Sequence, residues 1–67
     1  VHEREELIEA LSTLSIEVRT VVVARVLLDV APPDVARMLD IPVGTVHSRL
    51  SRGMDALREE LEGALDG

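Results

Sequence analysis

The feature that most constrains this chain is a pair of short apolar stripes separated by a few residues, within residues 31–52. Val35 and Leu39 are four positions apart, as are Val46 and Leu50, so each pair lies on one face of a helix. The residues between the two stripes leave room only for a tight turn. Two helices joined in this way bury their stripes against each other, so the pattern predicts a helix-turn-helix.

The outer face of the second helix in this motif is polar and cationic. It carries hydrogen-bonding or positively charged side chains at Thr45, His47, Ser48, Arg49, Ser51 and Arg52. Such side chains pair with base edges and phosphate oxygens when a helix enters the major groove of DNA. The motif therefore predicts that this helix binds double-stranded DNA.

Two helices are predicted upstream of the motif, over about residues 3–13 and 16–29. In the first, Leu7 and Leu11 form an apolar stripe, and the glutamates lie toward the N-terminal end, where the helix dipole favours them. Ser15 is suited to cap the second helix. The β-branched residues of that segment also suit a strand, but fourteen residues without glycine or proline exceed the usual strand of roughly 4–8 residues. We therefore expect a central helix there.

The two helices of the motif are predicted over about residues 32–39 and 43–61. Pro32 and Pro33 suit the first turn of a helix, where the missing N–H groups are not needed. Asp40 is expected to end the third helix with a positive φ, which aspartate tolerates better than most residues.

The fourth helix contains Gly53 in its interior, and glycines also follow the helix. Gly53 indicates the close approach of either a neighbouring helix or DNA, and residues 63–67 are expected to fray. The predicted fold is all-α: one compact four-helix domain with a C-terminal helix-turn-helix and no winged elements. We expect this single domain, residues 1–67, to be a fragment of a longer protein.

The charge balance is acidic overall but not along the motif. The chain has 7 basic and 13 acidic side chains and a net charge of −6. Residues 1–30 carry a net charge of −3 and residues 55–67 a net charge of −4, whereas residues 31–54 carry +1. The segment predicted to bind DNA is therefore the only one without an acidic excess.

The composition excludes several other classes of function. The chain has no cysteine for a disulfide or a thiolate site, and its two distant histidines have no third ligand, so no metal is expected. It has no aromatic residue on which single-stranded nucleic acid could stack. No phosphate-binding glycine loop or nucleophile–base set indicates an enzyme, and no apolar run is long enough to span a membrane. The prediction is a cytoplasmic, non-enzymatic protein without a cofactor, a small-molecule substrate or a membrane partner.

With these elements placed, the chain resembles region 4 of bacterial sigma-70 family factors, especially the extracytoplasmic-function group. Residues 41–50, IPVGTVHSRL, follow the family's pattern IPxGTVxSRL closely. Residues 34–39, DVARML, correspond to its EIAxxL block, and Leu14 and Arg19 to its L-x-x-x-x-R element. These three blocks are in register and cover most of the chain.

The resemblance implies sequence-specific recognition of the promoter −35 element in the major groove, as part of RNA polymerase holoenzyme at transcription initiation. The family's base-reading positions fall on His47, Ser48, Ser51 and Arg52. Its phosphate-contacting positions fall on Arg37, Thr45 and Arg49. It also implies docking on the flap of the polymerase β subunit and, in many members, binding by an anti-sigma factor. The residues expected to form that docking face are Leu7, Leu11, Leu14 and Val21.

Several assignments have alternatives. Thr45 is suited to cap its own helix as well as to bind phosphate, and Arg49 is suited to an ion pair with Asp34. The acidic stretches are either solvated faces or partner-binding surfaces. For the whole domain the alternatives are a protein-interaction module bound by an anti-sigma factor and the effector helix-turn-helix domain of a response regulator. The run VGTVHSR favours a sigma factor over a response regulator.

Overall fold

The computed structural model describes residues 2–66, with side chains for residues 4–63, and this part of the chain contains four helices and no strand. The helices are α1 (His2–Ser12), α2 (Ile16–Val22, continued by a π-helical turn over Val23–Leu27), α3 (Pro32–Leu39) and α4 (Val43–Asp66). The all-α, four-helix fold predicted from the sequence is confirmed.

The core consists of two apolar clusters that meet on α4. The first joins α1, α2 and the middle of α4, and its buried residues are Ala10, Leu14, Val18, Val22 and Leu57. The second joins α2, the π-helical turn, α3 and the first half of α4, and its buried residues are Val21, Ala24, Val35 and Val46. Leu50 packs against both clusters. One side of the first half of α4 therefore packs against α2 and α3.

The starts of α2 and α3 confirm the predicted helix signals. The Ser15 hydroxyl accepts a hydrogen bond from the Val18 N–H at 3.4 Å, which supplies one of the partners that a first turn lacks. Pro32 and Pro33 occupy the first two positions of α3, where a missing N–H costs no helical hydrogen bond.

Two aspartates in the left-handed region end the helices before and within the motif. Asp40 has φ 56° and ψ 50°, as predicted, and Asp29 has φ 53°. Beyond them, the Val30 N–H donates to the Ala24 carbonyl at 2.9 Å, and the Ile41 N–H donates to the Ala36 carbonyl at 3.0 Å. These bonds satisfy carbonyls at each helix C-terminus, which is the usual role of a left-handed residue there.

The second predicted helix differs from the structure at its C-terminal end. The prediction of one regular helix to residue 29 is wrong, because the chain widens into a π-helical turn that ends at Leu27. The Leu28 N–H donates to the Val23 carbonyl, five residues back, at 3.1 Å. The guanidinium of Arg25 then donates to the Val30 carbonyl at 2.8 Å and holds the connection to α3.

The fourth helix is longer than predicted. It continues through Gly63 to Asp66, so the expected end at residue 61 is wrong; of the residues expected to fray, 63–66 are helical and residue 67 lies outside the described residues. A glycine ends a helix by adopting a positive φ, and no glycine in the described part of the chain does so. Gly63 is therefore an ordinary helical residue in α4.

Gly53 is explained by helix packing. A Cβ atom at this position would lie 2.5 Å from Val22 Cγ2 and 2.8 Å from Val18 Cγ1, both on α2. Of the two alternatives left open by the sequence, the structure therefore supports the close approach of a neighbouring helix.

Candidate nucleic-acid interface

The first three turns of α4 have one buried face and one exposed face. Val46 and Gly53 are buried against α2 and α3, and Leu50 is half-buried between them. The opposite side carries four exposed residues that helical spacing places on one arc, and we call these the reading face: His47, Ser48, Ser51 and Arg52. The structure thus brings together all four residues to which base reading was assigned.

The charges around the reading face are few and positive. No acidic residue occurs in α4 before Asp55. The Asp55 Oδ1 atom lies 3.7 Å from Arg58 Nη1, in an exposed ion pair beyond the reading face. Arg52 is exposed, whereas Arg49 is half-buried in a shallow cleft that it shares with Glu17 and Leu39. Arg49 therefore flanks the reading face on the side of α2 and α3.

The hydroxyl groups near the start of α4 have different partners. The Ser48 hydroxyl donates to the Thr45 carbonyl at 3.2 Å, within its own helix. The first turn is closed by the Pro42 carbonyl, which accepts from the Thr45 and Val46 N–H groups at 3.0 and 3.3 Å. The Thr45 side chain makes no hydrogen bond within residues 4–63, so it does not cap α4 there.

Arg37 lies on α3 and is already paired. Its guanidinium forms an exposed ion pair and hydrogen bond with the carboxylate of Asp34, one turn earlier on the same helix. From the sequence, Arg49 was suited to an ion pair with Asp34, but in the structure Asp34 pairs with Arg37. A phosphate contact by Arg37 would therefore compete with this pair.

The expected docking face is only partly exposed. Leu7 and Leu11 line an apolar groove of about 230 Å³ between α1, the π-helical turn and α4. Leu14 and Val21 are 7% and 0% exposed and belong to the core, so their assignment to a docking surface is wrong. The remaining residues that line this apolar groove are Val22, Val26, Leu27, Met54, Leu57, Arg58 and Leu61.

Sequence reasoning missed the contribution of the π-helical turn to the groove. Val26 and Leu27 are 53% and 56% exposed, although an unbroken apolar helix was expected to bury them. Their hydrophobicity was the available signal, but it does not tell whether these residues lie at the surface or in the core.

Two other kinds of site are not found in the described part of the chain. No group of three or more His, Cys, Asp or Glu residues there is arranged to hold a metal ion. No helix over the same residues has the length and hydrophobicity needed to cross a membrane.

Comparison with known proteins agrees with this geometry. Residues 4–57 match the family model described as Sigma-70, region 4. Over 43 residues the chain is 42% identical to the ECF RNA polymerase sigma factor SigW of Bacillus subtilis (strain 168), a match that covers 64% of this chain and 23% of that protein. The chain thus spans less than a quarter of that curated relative. No solved structure matches the chain. The two sequence matches confirm the resemblance predicted from the sequence.

Proposed function

The chain belongs to the Sigma-70 region 4 family, and on that premise we propose that it recognises the promoter −35 element with the reading face of α4. It does so as part of RNA polymerase holoenzyme, at transcription initiation. The observation that carries this proposal is the polar, acid-free face of α4 lying opposite a buried face.

A rigid support for the recognition helix favours this function. Val46 of α4 and Val35 of α3 are 0% and 1% exposed and pack in the same cluster. Residues that read base edges must be held to within a fraction of an ångström, and a side chain on a helix fixed in this way meets that requirement. In a helix-turn-helix the second helix enters the major groove while the first crosses the backbone, so we assign these two roles to α4 and α3.

Each residue of the reading face has a chemically suitable role. Arg52 is exposed, and a guanidinium donates two hydrogen bonds to guanine, the commonest base-specific contact. His47, Ser48 and Ser51 offer shorter donors and acceptors, and the Ser48 hydroxyl must leave the Thr45 carbonyl if it is to donate to a base. Thr45 and Arg49 lie beside the face on α4 and Arg37 lies on α3, and we assign to these three residues the phosphate contacts that set the register of the helix.

The overall charge favours a domain that acts while held by a partner. Non-specific affinity for DNA comes mainly from counterion release by Lys and Arg, and a net charge of −6 opposes it. A tether raises the effective concentration of the domain near DNA, to about the millimolar range for a short linker. We therefore expect the chain alone to bind its −35 duplex worse than about micromolar at physiological salt.

The apolar groove offers a surface for that partner. Leu7 and Leu27 are 37% and 56% exposed on its walls, on the side of the core formed by α1 and the π-helical turn. We propose that the flap of the polymerase β subunit docks there. Binding of an anti-sigma factor to the same groove is the second candidate function, and the exposed apolar area favours it equally.

Replacement of Arg52 and replacement of Arg49 with alanine are expected to weaken DNA binding in different ways. Arg52→Ala should cost about 1–3 kcal/mol on the preferred duplex and relax the preference at one base pair. Arg49→Ala should weaken binding to all sequences alike and lower the slope of log affinity against log salt by about 1. The measurement is fluorescence anisotropy at several salt concentrations, on a duplex that the chain selects from a random library and on its single-base variants.

Arg58→Ala is the matched control for both arginine variants. Arg58 is exposed on the same helix but lies beyond the reading face, where it pairs with Asp55. Its loss should leave both affinity and sequence preference unchanged. If Arg52→Ala lost the same affinity on every duplex, the assignment of base reading to Arg52 would be refuted.

A further inference from the structure

We propose that Asp34 limits the affinity of this chain for DNA of every sequence, because its carboxylate pairs with the Arg37 guanidinium and competes with a phosphate for it. This inference rests on the proposed function, since Arg37 is one of the residues to which phosphate contacts are assigned. It adds to that function a residue that opposes binding without touching a base.

The ion pair between Asp34 and Arg37 lies within one turn of α3. The two residues are three positions apart, a spacing at which opposite charges on a helix meet. The side chains of Asp34 and Arg37 are 47% and 77% exposed, so a phosphate can reach the guanidinium from solvent. Exposed pairs of this kind are weak, which allows a phosphate to compete for the arginine but at a cost in affinity.

The Asp34 carboxylate has no other hydrogen-bonding role within residues 4–63. The first turn of α3 has no side-chain cap and is closed by the Ala31 carbonyl, which accepts from the Asp34 and Val35 N–H groups at 2.9 and 3.0 Å. The carboxylate accepts only from Arg37. Its remaining contribution is an interaction with the helix dipole, which is modest at an exposed site. Removal of its charge should therefore leave the fold intact.

The paired arginine is a large share of the positive charge of the motif. Residues 31–54 contain three arginines, Arg37, Arg49 and Arg52, and no lysine. In the described part of the chain the other two form no ion pair. Non-specific affinity grows with the number of phosphates that Lys and Arg neutralise. The pair with Asp34 therefore withdraws one of three cations from the phosphates.

The effect of Asp34 should be the same for all sequences. A phosphate contact adds affinity and sets register but carries no sequence information directly. The Asp34 carboxylate also repels a phosphate that approaches Arg37, because the two carry like charges. Removal of this charge should therefore raise the affinity for a preferred duplex and for an unrelated one by the same factor, and leave the preference of the reading face unchanged.

The size of the effect is set by one exposed ion pair. The attraction of two charges about 4 Å apart in a water-like medium corresponds to about five-fold in affinity, and many exposed pairs contribute less than that. We therefore expect Asp34→Asn to bind about two- to five-fold more tightly than the wild type. The slope of log affinity against log salt should steepen by up to about 0.9, because Arg37 is then free to neutralise one more phosphate.

The test measures fluorescence anisotropy of two short duplexes with the 67-residue chain at several salt concentrations. One duplex is selected by the chain from a random library, and the other has the same composition in shuffled order. Asp34→Asn and Asp34→Ser should each gain about two- to five-fold on both duplexes. In the double variant Asp34→Asn/Arg37→Ala the gain should disappear, because no guanidinium is released. Helical circular dichroism checks that each variant remains folded.

Asp55→Asn is the matched control. Asp55 pairs with Arg58 at the same three-residue spacing and with both side chains exposed, but this pair lies beyond the reading face. The variant removes the same charge from the chain, and it should leave both affinities nearly unchanged. An equal gain for Asp55→Asn would assign the effect to net charge, and a gain that survives in the double variant would show that it does not act through Arg37. Either result would overturn the proposal.

The possible results separate this inference from the proposed function. If the chain prefers its selected duplex but Asp34→Asn binds no more tightly than the wild type, the role of Asp34 is refuted while DNA recognition stands. If the folded chain selects no duplex, the proposed function fails and the inference fails with it.

Discussion

Replacement of Val46 with aspartate is expected to unfold the domain. Val46 is 0% exposed and packs with Val21, Ala24 and Val35. The change removes about 1.5–3 kcal/mol of apolar burial, and an uncompensated buried charge costs about 3–5 kcal/mol more. A domain of this size without a disulfide or metal rarely has more than about 3–5 kcal/mol of stability. The expected destabilisation therefore exceeds the free energy of unfolding of the domain.

Val43→Asp is the matched control for this variant. Val43 is the first residue of α4 and is 44% exposed, and a carboxylate in a first helical turn interacts favourably with the helix dipole. Circular dichroism and thermal melting should show a folded protein for Val43→Asp and a largely unfolded one for Val46→Asp. A cooperative melt of Val46→Asp near the wild-type temperature would show that α4 is not seated on α3 as described.

Replacement of Gly53 with alanine should destabilise the domain by about 1–2 kcal/mol. The new methyl group would overlap the Cγ atoms of Val22 and Val18, at 2.5 and 2.8 Å. Valine side chains are stiff about χ1 and cannot swing aside, so α4 must move away from α2. Because the new methyl group overlaps two stiff side chains at once, the cost of overpacking should lie in the upper part of its usual range, about 2–3 kcal/mol, and the better helix propensity of alanine offsets about 1 kcal/mol of it. The melting temperature should fall by roughly 4–16 °C.

Gly63→Ala, on the same helix, is expected not to lower the melting temperature. Apart from its chain neighbours and the backbone of its own helix, no atom lies within 4 Å of a Cβ built at Gly63, so only the gain in helix propensity remains, and the melting temperature should stay the same or rise. In the double variant Val22→Ala/Gly53→Ala, removal of the two Val22 methyl groups makes room for the new one, so the two losses should be less than additive. Equal melting temperatures for Gly53→Ala and the wild type would contradict the close approach of α2 and α4.

Local chemistry made much of the fold predictable. The bounds of α3 follow from two prolines at its start and an aspartate that accepts a positive φ at its end. The buried positions Val35 and Val46 follow from spacing of three to four residues. These features depend on residues that lie close together in the sequence, so the local sequence was sufficient to predict them.

Features that depend on contacts between distant residues were not predictable. An apolar run such as residues 16–29 shows that a segment is buried, but not that its hydrogen bonding shifts to a π-helical turn at Val23. Val26 and Leu27 in that turn are exposed, whereas Leu14 and Val21, to which the docking surface was assigned, belong to the core. The pairing of Arg37 with Asp34 was missed although the two residues are three apart on one helix, a spacing at which opposite charges meet.

The most direct test of the central claim is an NMR titration of the isotope-labelled chain with a short duplex selected from a random library. This measurement tolerates weak binding and reports on each backbone amide separately. Recognition by the reading face predicts that the largest shifts occur in the first three turns of α4, including His47, Ser48, Ser51 and Arg52, and that Arg52→Ala needs a higher DNA concentration to produce them. Shifts concentrated instead around the apolar groove, at Leu7, Leu11 and Leu27, or no shifts at saturating DNA, would contradict recognition through α4.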